Sequence, residues 1–172
     1  MDNLPSPEIN KKIKANNPSS DYETDLNGDE QIDLRIWLRL LTCAHLIERQ
    51  VKRNLRDDFE TTLPRFDVLA QIDRASGRLS MRELSRRLMV TNGNITPLVD
   101  RLVNEKLIRR ESSADDRRVQ HVSLTLKGQK ALNKMIPAHS SWINALMANL
   151  DKESALKLHE LLGNLKSSIL KA

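Results

Sequence analysis

The longest uninterrupted helical pattern in the chain runs from Ile32 to about Phe59. Apolar residues recur there at spacings of three and four, and the segment contains neither glycine nor proline. Arginine and lysine mostly occupy the other positions, so the pattern is that of an amphipathic helix. A helix of this length spans ~40 Å at 1.5 Å per residue, which exceeds a small domain. We therefore expect a partner helix to cover the part that projects.

Three shorter helices follow, and the last two are joined by a tight turn. The first begins at Thr62-Leu63-Pro64 and ends at Ser76-Gly77. Ser80-Met81-Arg82-Glu83 is a capping box, which predicts a second helix from Met81. Turn-forming residues at 90–94 end that helix, and a third one follows. Its predicted inward face consists of Ile95, Leu98, Val99, Leu102 and Val103. This arrangement is typical of a helix-turn-helix.

Two predicted strands come directly after the helix-turn-helix. They cover residues 107–111 and 118–124, and the polar residues 112–117 between them form a hairpin loop. Helices followed by a hairpin with an arginine-rich tip indicate a winged helix-turn-helix. The predicted fold is therefore mostly α with a small β-hairpin wing, flanked by N- and C-terminal dimerisation helices.

The C-terminal segment carries more leucine than one chain needs for its own core. Thr125 is expected to cap a helix in which Pro137 produces a kink or a break. A final helix begins at about Asp151, and its apolar stripe consists of Leu158, Leu161, Leu162, Leu165 and Ile169. The excess predicts a helical dimer interface.

Charge is distributed unevenly along the chain. Residues 1–30 hold seven acids against three lysines, a net charge of −4. Since the overall net charge is +5, the rest of the chain carries +9. The first 30 residues also contain three prolines and few large apolar groups, which predicts a flexible acidic tail. Nine of the ten bases from Arg78 to Arg118 are arginines, the residue best suited to phosphates and base edges. A polyanion is the first partner to expect.

Several classes of protein fit the sequence poorly. No apolar run is long enough to span a membrane, and one cysteine, Cys43, excludes an intrachain disulfide and a thiolate zinc site. Glycine-rich nucleotide motifs and recognisable catalytic pairs are missing from the sequence. We therefore expect a cytoplasmic protein that is not an enzyme, with no catalytic residues, cofactor or metal site. Cys43 is interpreted as a small buried residue rather than a redox sensor.

Residues 64–128 strongly resemble the MarR (multiple antibiotic resistance regulator) family of bacterial transcription factors. The resemblance lies in the order and spacing of six short segments. They are Leu84-Ser85-Arg86-Arg87-Leu88, Asn94-Ile95-Thr96, Leu98-Val99-Asp100-Arg101-Leu102, Leu107-Ile108-Arg109-Arg110 with Asp116-Arg117-Arg118, and Leu124-Thr125-Leu126-Lys127-Gly128.

The resemblance implies an obligate homodimer that presents two winged helices to a pseudo-palindromic operator in double-stranded DNA. The domains would then be a tail at 1–30, an N-terminal dimerisation helix at 31–63, a DNA-binding domain at 64–126 and C-terminal dimerisation helices at 127–172. No membrane partner is expected.

The resemblance also implies roles for individual residues in DNA binding. Four short polar side chains would face the major groove, three arginines would lie near the DNA backbone, and the wing would enter the minor groove with an aspartate fixing it. The groove-facing residues are Thr91, Asn92, Asn94 and Thr96. The arginines near the DNA backbone are Arg86, Arg87 and Arg101. At the wing, Arg117 and Arg118 would enter the minor groove, and Asp116 would pair with one of them. The alternative is that some of the arginines only bridge Glu83, Asp100 and Glu105.

Two residues depart from the family pattern. Ala114 replaces a usual proline at the entry to the wing, which predicts a less rigid tip. Pro97 lies inside the expected recognition helix. A helix that starts near Thr91 would lose a backbone bond at Pro97, whereas a helix with Asn94 as its N-cap would not. We favour the later start, or a local irregularity in the helix, which puts groove contacts by Thr91 and Asn92 in question.

The remaining expectation is an effector that controls DNA binding. Aromatic and basic residues on the flanking helices are candidates for its pocket: Trp37, Arg39, His45, Arg49, Arg65 and Trp142. The run 92–102 resembles family members that sense an aromatic acid or its coenzyme A thioester. The chain is thus expected to be a ligand-responsive regulator, and more specifically a repressor. The alternative is an architectural DNA-binding protein with little sequence specificity.

Overall fold

The computed structural model of the chain describes residues 31–75, 77–113, 116 and 118–171. The predicted acidic tail, residues 1–30, lies outside the described residues, and so do Ala114 and Arg117 of the predicted wing. Within the described ranges, no helix combines the length and the apolar character needed to cross a membrane.

The predicted long helix is present as α1, Ile32–Phe59. The chain divides into two units, Met1–Arg49 and Gln50–Ala172. In the first unit, Ile32, Ile36 and Trp37 are about half exposed, and Cys43 is exposed rather than buried as interpreted. In the second unit, Val51 and Leu55 are the buried residues of α1. The core of the described chain is therefore built from residues after Arg49.

Three helices supply most of that core: α2 (Leu63–Arg74), α3 (Met81–Arg87) and α4 (Asn92–Asn104). The predicted starts of α2 and α3 are confirmed. Pro64 lies in the first turn of α2, where no N–H is needed, and the Ser80 hydroxyl accepts a hydrogen bond from the Glu83 N–H at 3.2 Å. Their buried apolar residues include Phe66, Leu69, Ile72, Leu84, Ile95, Val99 and Leu102.

Three short strands form one antiparallel sheet in the order β1-β3-β2. They are β1 (Arg78–Ser80), β2 (Ile108–Ser112) and β3 (Gln120–Leu124). The hairpin of β2 and β3 confirms the predicted wing. The strand β1 is absent from the sequence prediction, because three residues before a helix cap leave no alternation to detect. The predicted fold class, mostly α with a small wing, is confirmed.

Two helices complete the chain, α5 (Leu126–Leu146) and α6 (Lys152–Ile169). Pro137 lies inside α5, and the helix continues on both sides, so a break at this residue is wrong. Proline removes the N–H that would reach the carbonyl of Asn133. Because Asn133 is exposed, water can satisfy that carbonyl. No residue of α6 is buried within the described chain.

The first turn of α5 lies directly against the base of the wing. The Thr125 hydroxyl caps α5 by accepting from the Gly128 N–H at 3.1 Å and donates to the Lys106 carbonyl at 2.6 Å. The Thr125 N–H donates to the Leu107 carbonyl at 3.1 Å. A Cβ at Gly128 would overlap the carbonyl oxygen of Leu107 and lie 2.9 Å from its carbonyl carbon. Only glycine allows this approach.

We expect Gly128→Ala to destabilise the protein by at least about 2 kcal/mol, because the added methyl group must push backbone against backbone. The matched control is Gly163→Ala in α6, where a Cβ meets no described atom within 4 Å. That change should be neutral or stabilise by about 0.5–1 kcal/mol through helix propensity. Urea denaturation at one protein concentration measures both. Equal midpoints for the two variants would contradict the close approach.

Candidate nucleic-acid interface

The helix that follows the tight turn, α4, begins at Asn92 with Thr91 as its N-cap. The Thr91 carbonyl accepts from the N–H groups of Asn94 at 3.1 Å and Ile95 at 3.2 Å, and its hydroxyl lies 3.4 Å from the Asn94 nitrogen. The later start with Asn94 as N-cap is therefore wrong, and Pro97 lies inside the helix.

Two features explain why the earlier start prevails despite Pro97. The carbonyl that Pro97 leaves without a donor belongs to Gly93, which is exposed and therefore open to water. Side chains also hold the first turn: the Ser85 hydroxyl donates to Oδ1 of Asn92 at 2.6 Å, and the Thr96 hydroxyl donates to the Asn92 carbonyl at 2.8 Å. The Ser85–Asn92 bond fixes α4 relative to α3 at the end that carries the predicted groove-facing residues, and the Thr96–Asn92 bond closes the first turn of α4 itself.

The four predicted groove-facing residues differ in how far their side chains are engaged. Thr91, Asn92 and Asn94 are exposed and Thr96 is half-buried. Thr91 and Asn92 are used for capping and for the bond to Ser85, whereas the Asn94 side chain forms no hydrogen bond with any described residue. Asn94 therefore has all its side-chain donors and acceptors available to a base edge.

The two predicted backbone-binding arginines of α3 share one carboxylate. Glu83 accepts two hydrogen bonds from Arg86, at 2.7 and 2.8 Å, and one from Nε of Arg87 at 2.8 Å. These bonds lower the pKa of Glu83 to about 2, so the carboxylate stays ionised at any working pH. The alternative that arginines bridge Glu83 is thus present in the structure. Arg86 is nevertheless 74% exposed and keeps N–H groups for a phosphate.

Asp116 does hold the wing, but through the main chain of Arg118. Its Oδ1 accepts from the Arg118 N–H at 2.9 Å, and its carbonyl accepts from the Val119 N–H at 2.9 Å. The described residues show no ion pair between the Asp116 carboxylate and the Arg118 side chain, and Arg117 lies outside them, so the pairing with one of the two arginines stays a prediction. The turn leaves the exposed Arg118 side chain without a protein partner in the described chain.

An open groove of about 570 Å³ joins the start of α4 to the wing. It brings together three of the predicted DNA-binding residues, Asn92, Thr96 and Arg118. Arg86, Arg87, Thr91, Asn94 and Arg101 lie outside its lining. The groove is also lined by residues that the sequence prediction omits, namely Ser80, Met81, Arg82, Arg110, Val119 and Gln120.

Arg110 is the most informative of the omitted residues. Its Nη2 lies 2.8 Å from Oδ1 of Asp100, an ion pair whose angles do not meet those of a hydrogen bond. Its Nε is buried without a hydrogen-bond partner among the described residues. Strand alternation could have identified it, because Arg109 and Arg110 must point to opposite faces of the wing. Arg109 instead donates to the Ser123 hydroxyl at 2.8 Å.

The predicted effector residues are divided between the two units. Trp37, Arg39, His45 and Arg49 are exposed residues of α1 in the first unit, whereas Arg65 and Trp142 belong to the second. Arg65 donates two hydrogen bonds to Glu105, and this contact raises the pKa of Arg65 and lowers that of Glu105. The effector pocket stays a prediction.

An aromatic cluster surrounds Trp142 in the second unit. The His139 ring stacks on Phe66 with centroids 4.9 Å apart, and Trp142 lies 6.4 Å from His139 and 6.0 Å from Phe59. Burial, followed by repulsion from Arg74, lowers the pKa of His139, so the ring is neutral at physiological pH. Of this cluster, the sequence prediction includes only Trp142 among the effector residues.

Comparisons with known proteins show which family the chain belongs to. The sequence model of the MarR family matches residues 60–119. An uncharacterised HTH-type transcriptional regulator of Bacillus cereus (strain ATCC 10987) is 31% identical over 135 residues, covering 78% of this chain and 88% of that protein. The chain belongs to the MarR family. It is a DNA-binding transcriptional regulator of that family, and the resemblance inferred from the sequence is confirmed.

Two further relatives extend the comparison. The HTH-type transcriptional repressor YetL of Bacillus subtilis (strain 168) is 33% identical over 102 residues, which cover 59% of this chain but only 61% of YetL. The crystal structure of Sco3205, a MarR family transcriptional regulator from Streptomyces coelicolor in complex with DNA, has a TM-score of 0.72 and 26% identity. That match covers 83% of this chain and 89% of the other.

The family consists of transcriptional regulators, and the described residues contain no group of three or more histidine, cysteine or carboxylate side chains placed to hold a metal ion. Amide and hydroxyl groups of α4 can meet base edges, and guanidinium groups of the wing can meet phosphates.

We expect Asn94→Ala to cost about 1–3 kcal/mol on a specific duplex and little on random DNA. Arg118→Ala should weaken binding to both and flatten the plot of log affinity against log salt by about 0.9 for each phosphate that the variant no longer binds. Arg109→Ala is the matched control, since the Arg109 side chain points to the opposite face of the wing from Arg110. Competition titrations at several salt concentrations measure all three. A salt slope that changes equally in Arg109→Ala and Arg118→Ala would contradict the assignment.

Proposed function

We propose that the protein is a homodimeric repressor that binds a pseudo-palindromic operator and is released by a small aromatic acid or its coenzyme A thioester. The observation that carries the proposal is the groove in which Asn92 and Thr96 of α4 lie beside Arg118 and Arg110 of the wing. Polar groups for base edges and cations for phosphates thus line one surface, which is what a regulator needs in order to read a sequence while holding the DNA backbone.

The exposed apolar surface of α6 supports the homodimer. Within the described chain this helix buries no residue, and its stripe leaves Leu158 at 43%, Leu161 at 55% and Ile169 at 65% exposure. Single exposed leucines are common, but a continuous stripe on one helix face is typical of an interface. A second copy of the chain is the occupant that a symmetric operator requires. We accordingly assign residues 31–63 and 127–172 to dimerisation and 64–126 to DNA binding.

Two parts of the proposal are more specific: that the protein represses transcription, and that an acid releases it from the operator. The similarity to YetL, a named repressor, supports repression. The aromatic cluster of Phe66, His139 and Trp142, with Arg65 next to Phe66 on α2, supports an aromatic anion as the effector. A planar ring can stack on such side chains while a guanidinium binds its carboxylate. The α1 residues Trp37, Arg39, His45 and Arg49 stay candidates from the sequence alone.

The test of the regulator is selection of duplexes from a random pool, followed by footprinting. A regulator of this kind should enrich a palindrome whose half-sites are about 34 Å apart, one helical turn, because two winged helices are held in one dimer. Uniform coverage without an enriched sequence would instead favour the architectural alternative.

The dimer is tested by placing charge on the apolar stripe of α6. The double change Leu158→Glu and Leu161→Glu should yield a folded monomer with much weaker operator binding, since both side chains are exposed in the single chain. Leu156→Glu is the control, because Leu156 is 63% exposed and lies on the opposite face of the helix. Light scattering gives the mass, and circular dichroism reports folding. A double variant that remains dimeric would exclude this stripe as the interface.

A further inference from the structure

Met89 is the most exposed large apolar residue of those that the structure describes, with a relative exposure of 94%. It lies in the tight turn between α3 and α4, two residues before Thr91, the N-cap of α4. Its neighbour Val90 is 40% exposed. The turn therefore places an apolar surface beside the predicted groove-facing residues. Single exposed apolar residues are common, so exposure alone assigns no role to Met89.

The backbone of Met89 is in the left-handed region, with a φ of +53°. Met89 follows Leu88, the C-cap of α3. The Met89 N–H donates to the Arg86 carbonyl at 3.2 Å, and the Val90 N–H donates to the Ser85 carbonyl at 3.1 Å. These two bonds form the Schellman motif, which favours glycine at this position because a Cβ is disfavoured in a left-handed backbone. Methionine therefore makes the turn less stable than glycine would.

Two other non-glycine residues of the described chain have a positive φ, Glu60 and Lys106. Both are exposed and charged, so water solvates their side chains well. The thioether of Met89 gains no such solvation, and it buries no surface within the described chain. Methionine at this position thus combines a disfavoured backbone with an apolar side chain left in water. Residues that break local preferences in this way are expected at functional sites.

Ser85 fixes the position of Met89 relative to α4. The Ser85 carbonyl closes the turn, and its hydroxyl donates to Oδ1 of Asn92 at 2.6 Å. Exposed polar residues of the candidate nucleic-acid interface flank the turn in sequence, Arg86 before it and Asn94 after it. The apolar surface at Met89 is therefore continuous with the surface that binds DNA, so DNA is its expected occupant. In the major groove, the apolar group that a base pair presents is the C5-methyl group of thymine.

We propose that Met89 contacts the C5-methyl group of one thymine in each half-site of the operator and thereby determines part of the sequence specificity. The side chain is unbranched and rotates about three bonds, so it can adapt to the position of the methyl group. The contact removes both apolar groups from water and adds an apolar readout to the polar readout of Asn94. This inference rests on the proposed function, since it names a further base that the regulator reads.

The test replaces thymine by uracil in the selected duplex, because uracil pairs in the same way and lacks only the methyl group. Each symmetric pair of thymines is replaced in turn, and affinity is measured by competition titration with the full chain. At one pair, the unchanged protein should lose about fourfold in affinity for each methyl group removed. Met89→Gly should bind the thymine and uracil duplexes of that pair equally, whereas Met89→Leu should keep the preference for thymine.

Stability measurements separate this contact from a purely structural role. Met89→Gly should raise the urea midpoint, because glycine suits the left-handed backbone, and should nevertheless weaken operator binding. A residue that only shaped the turn would change stability and affinity in the same direction. Lys106→Gly is the matched control, since Lys106 has a φ of +60° and follows the C-cap of α4 as Met89 follows that of α3. It should raise the midpoint and leave the preference for thymine intact.

Three results would overturn the proposal: no thymine pair whose methyl groups matter, a preference for thymine that survives in Met89→Gly, or an equal loss of affinity by that variant for both duplexes. A change of mass in light scattering would also overturn it, because Met89 would then belong to a contact between copies of the chain. If no specific duplex is selected, the proposed operator fails. An alternating duplex of adenine and thymine and its uracil counterpart then decide the methyl contact by the same comparison of the unchanged protein with Met89→Gly.

Discussion

Leu107 is where the DNA-binding elements are joined. Its N–H donates to the Leu102 carbonyl at 2.9 Å and ends α4, while its carbonyl accepts from Thr125 at the start of α5. Gly128 is the residue that allows α5 to come this close. Because the main chain of one residue fixes the end of the recognition helix, the base of the wing and the first turn of α5, these elements cannot move independently. The orientation of α4 relative to the wing, and hence the groove, depends on this contact.

Local signals were sufficient to predict most elements of the fold. Caps at Ser80, Thr125 and Asp151 each satisfy an N–H of the following helix, and such bonds depend only on residues three apart. The two proline positions show the limit of this reasoning. Pro97 and Pro137 each cost a backbone bond, but both orphaned carbonyls belong to exposed residues. Whether water can reach a carbonyl is a property of the packed chain, so the sequence favoured a later start of α4 and a kink or break in α5.

The candidate site was predictable in its residue types but not in its pairings. Asn94, Thr96 and Arg118 follow from the family pattern, whereas the partners of the acids do not. Glu83 pairs within its own helix, as spacings of three and four allow, but Glu105 meets an arginine 40 residues away and Asp100 meets Arg110 of the wing. Contacts between distant segments depend on how the helices pack, and helical periodicity does not contain that information.

These pairings change how the positive charge of the region acts on DNA. Glu83 offsets Arg86 and Arg87, and Asp100 offsets Arg110, so the exposed Arg118 is the wing cation whose charge is least compensated in the described chain. Each guanidinium has five donors, and a carboxylate uses two or three of them. A phosphate can therefore bind the remaining donors of Arg86 without breaking its pair. At Arg65 both terminal nitrogens are engaged by Glu105, the C-cap residue of α4. This pair therefore ties the C-terminal end of α4 to α2, whereas the pairs of Glu83 stay within α3 and leave Arg86 exposed for a phosphate.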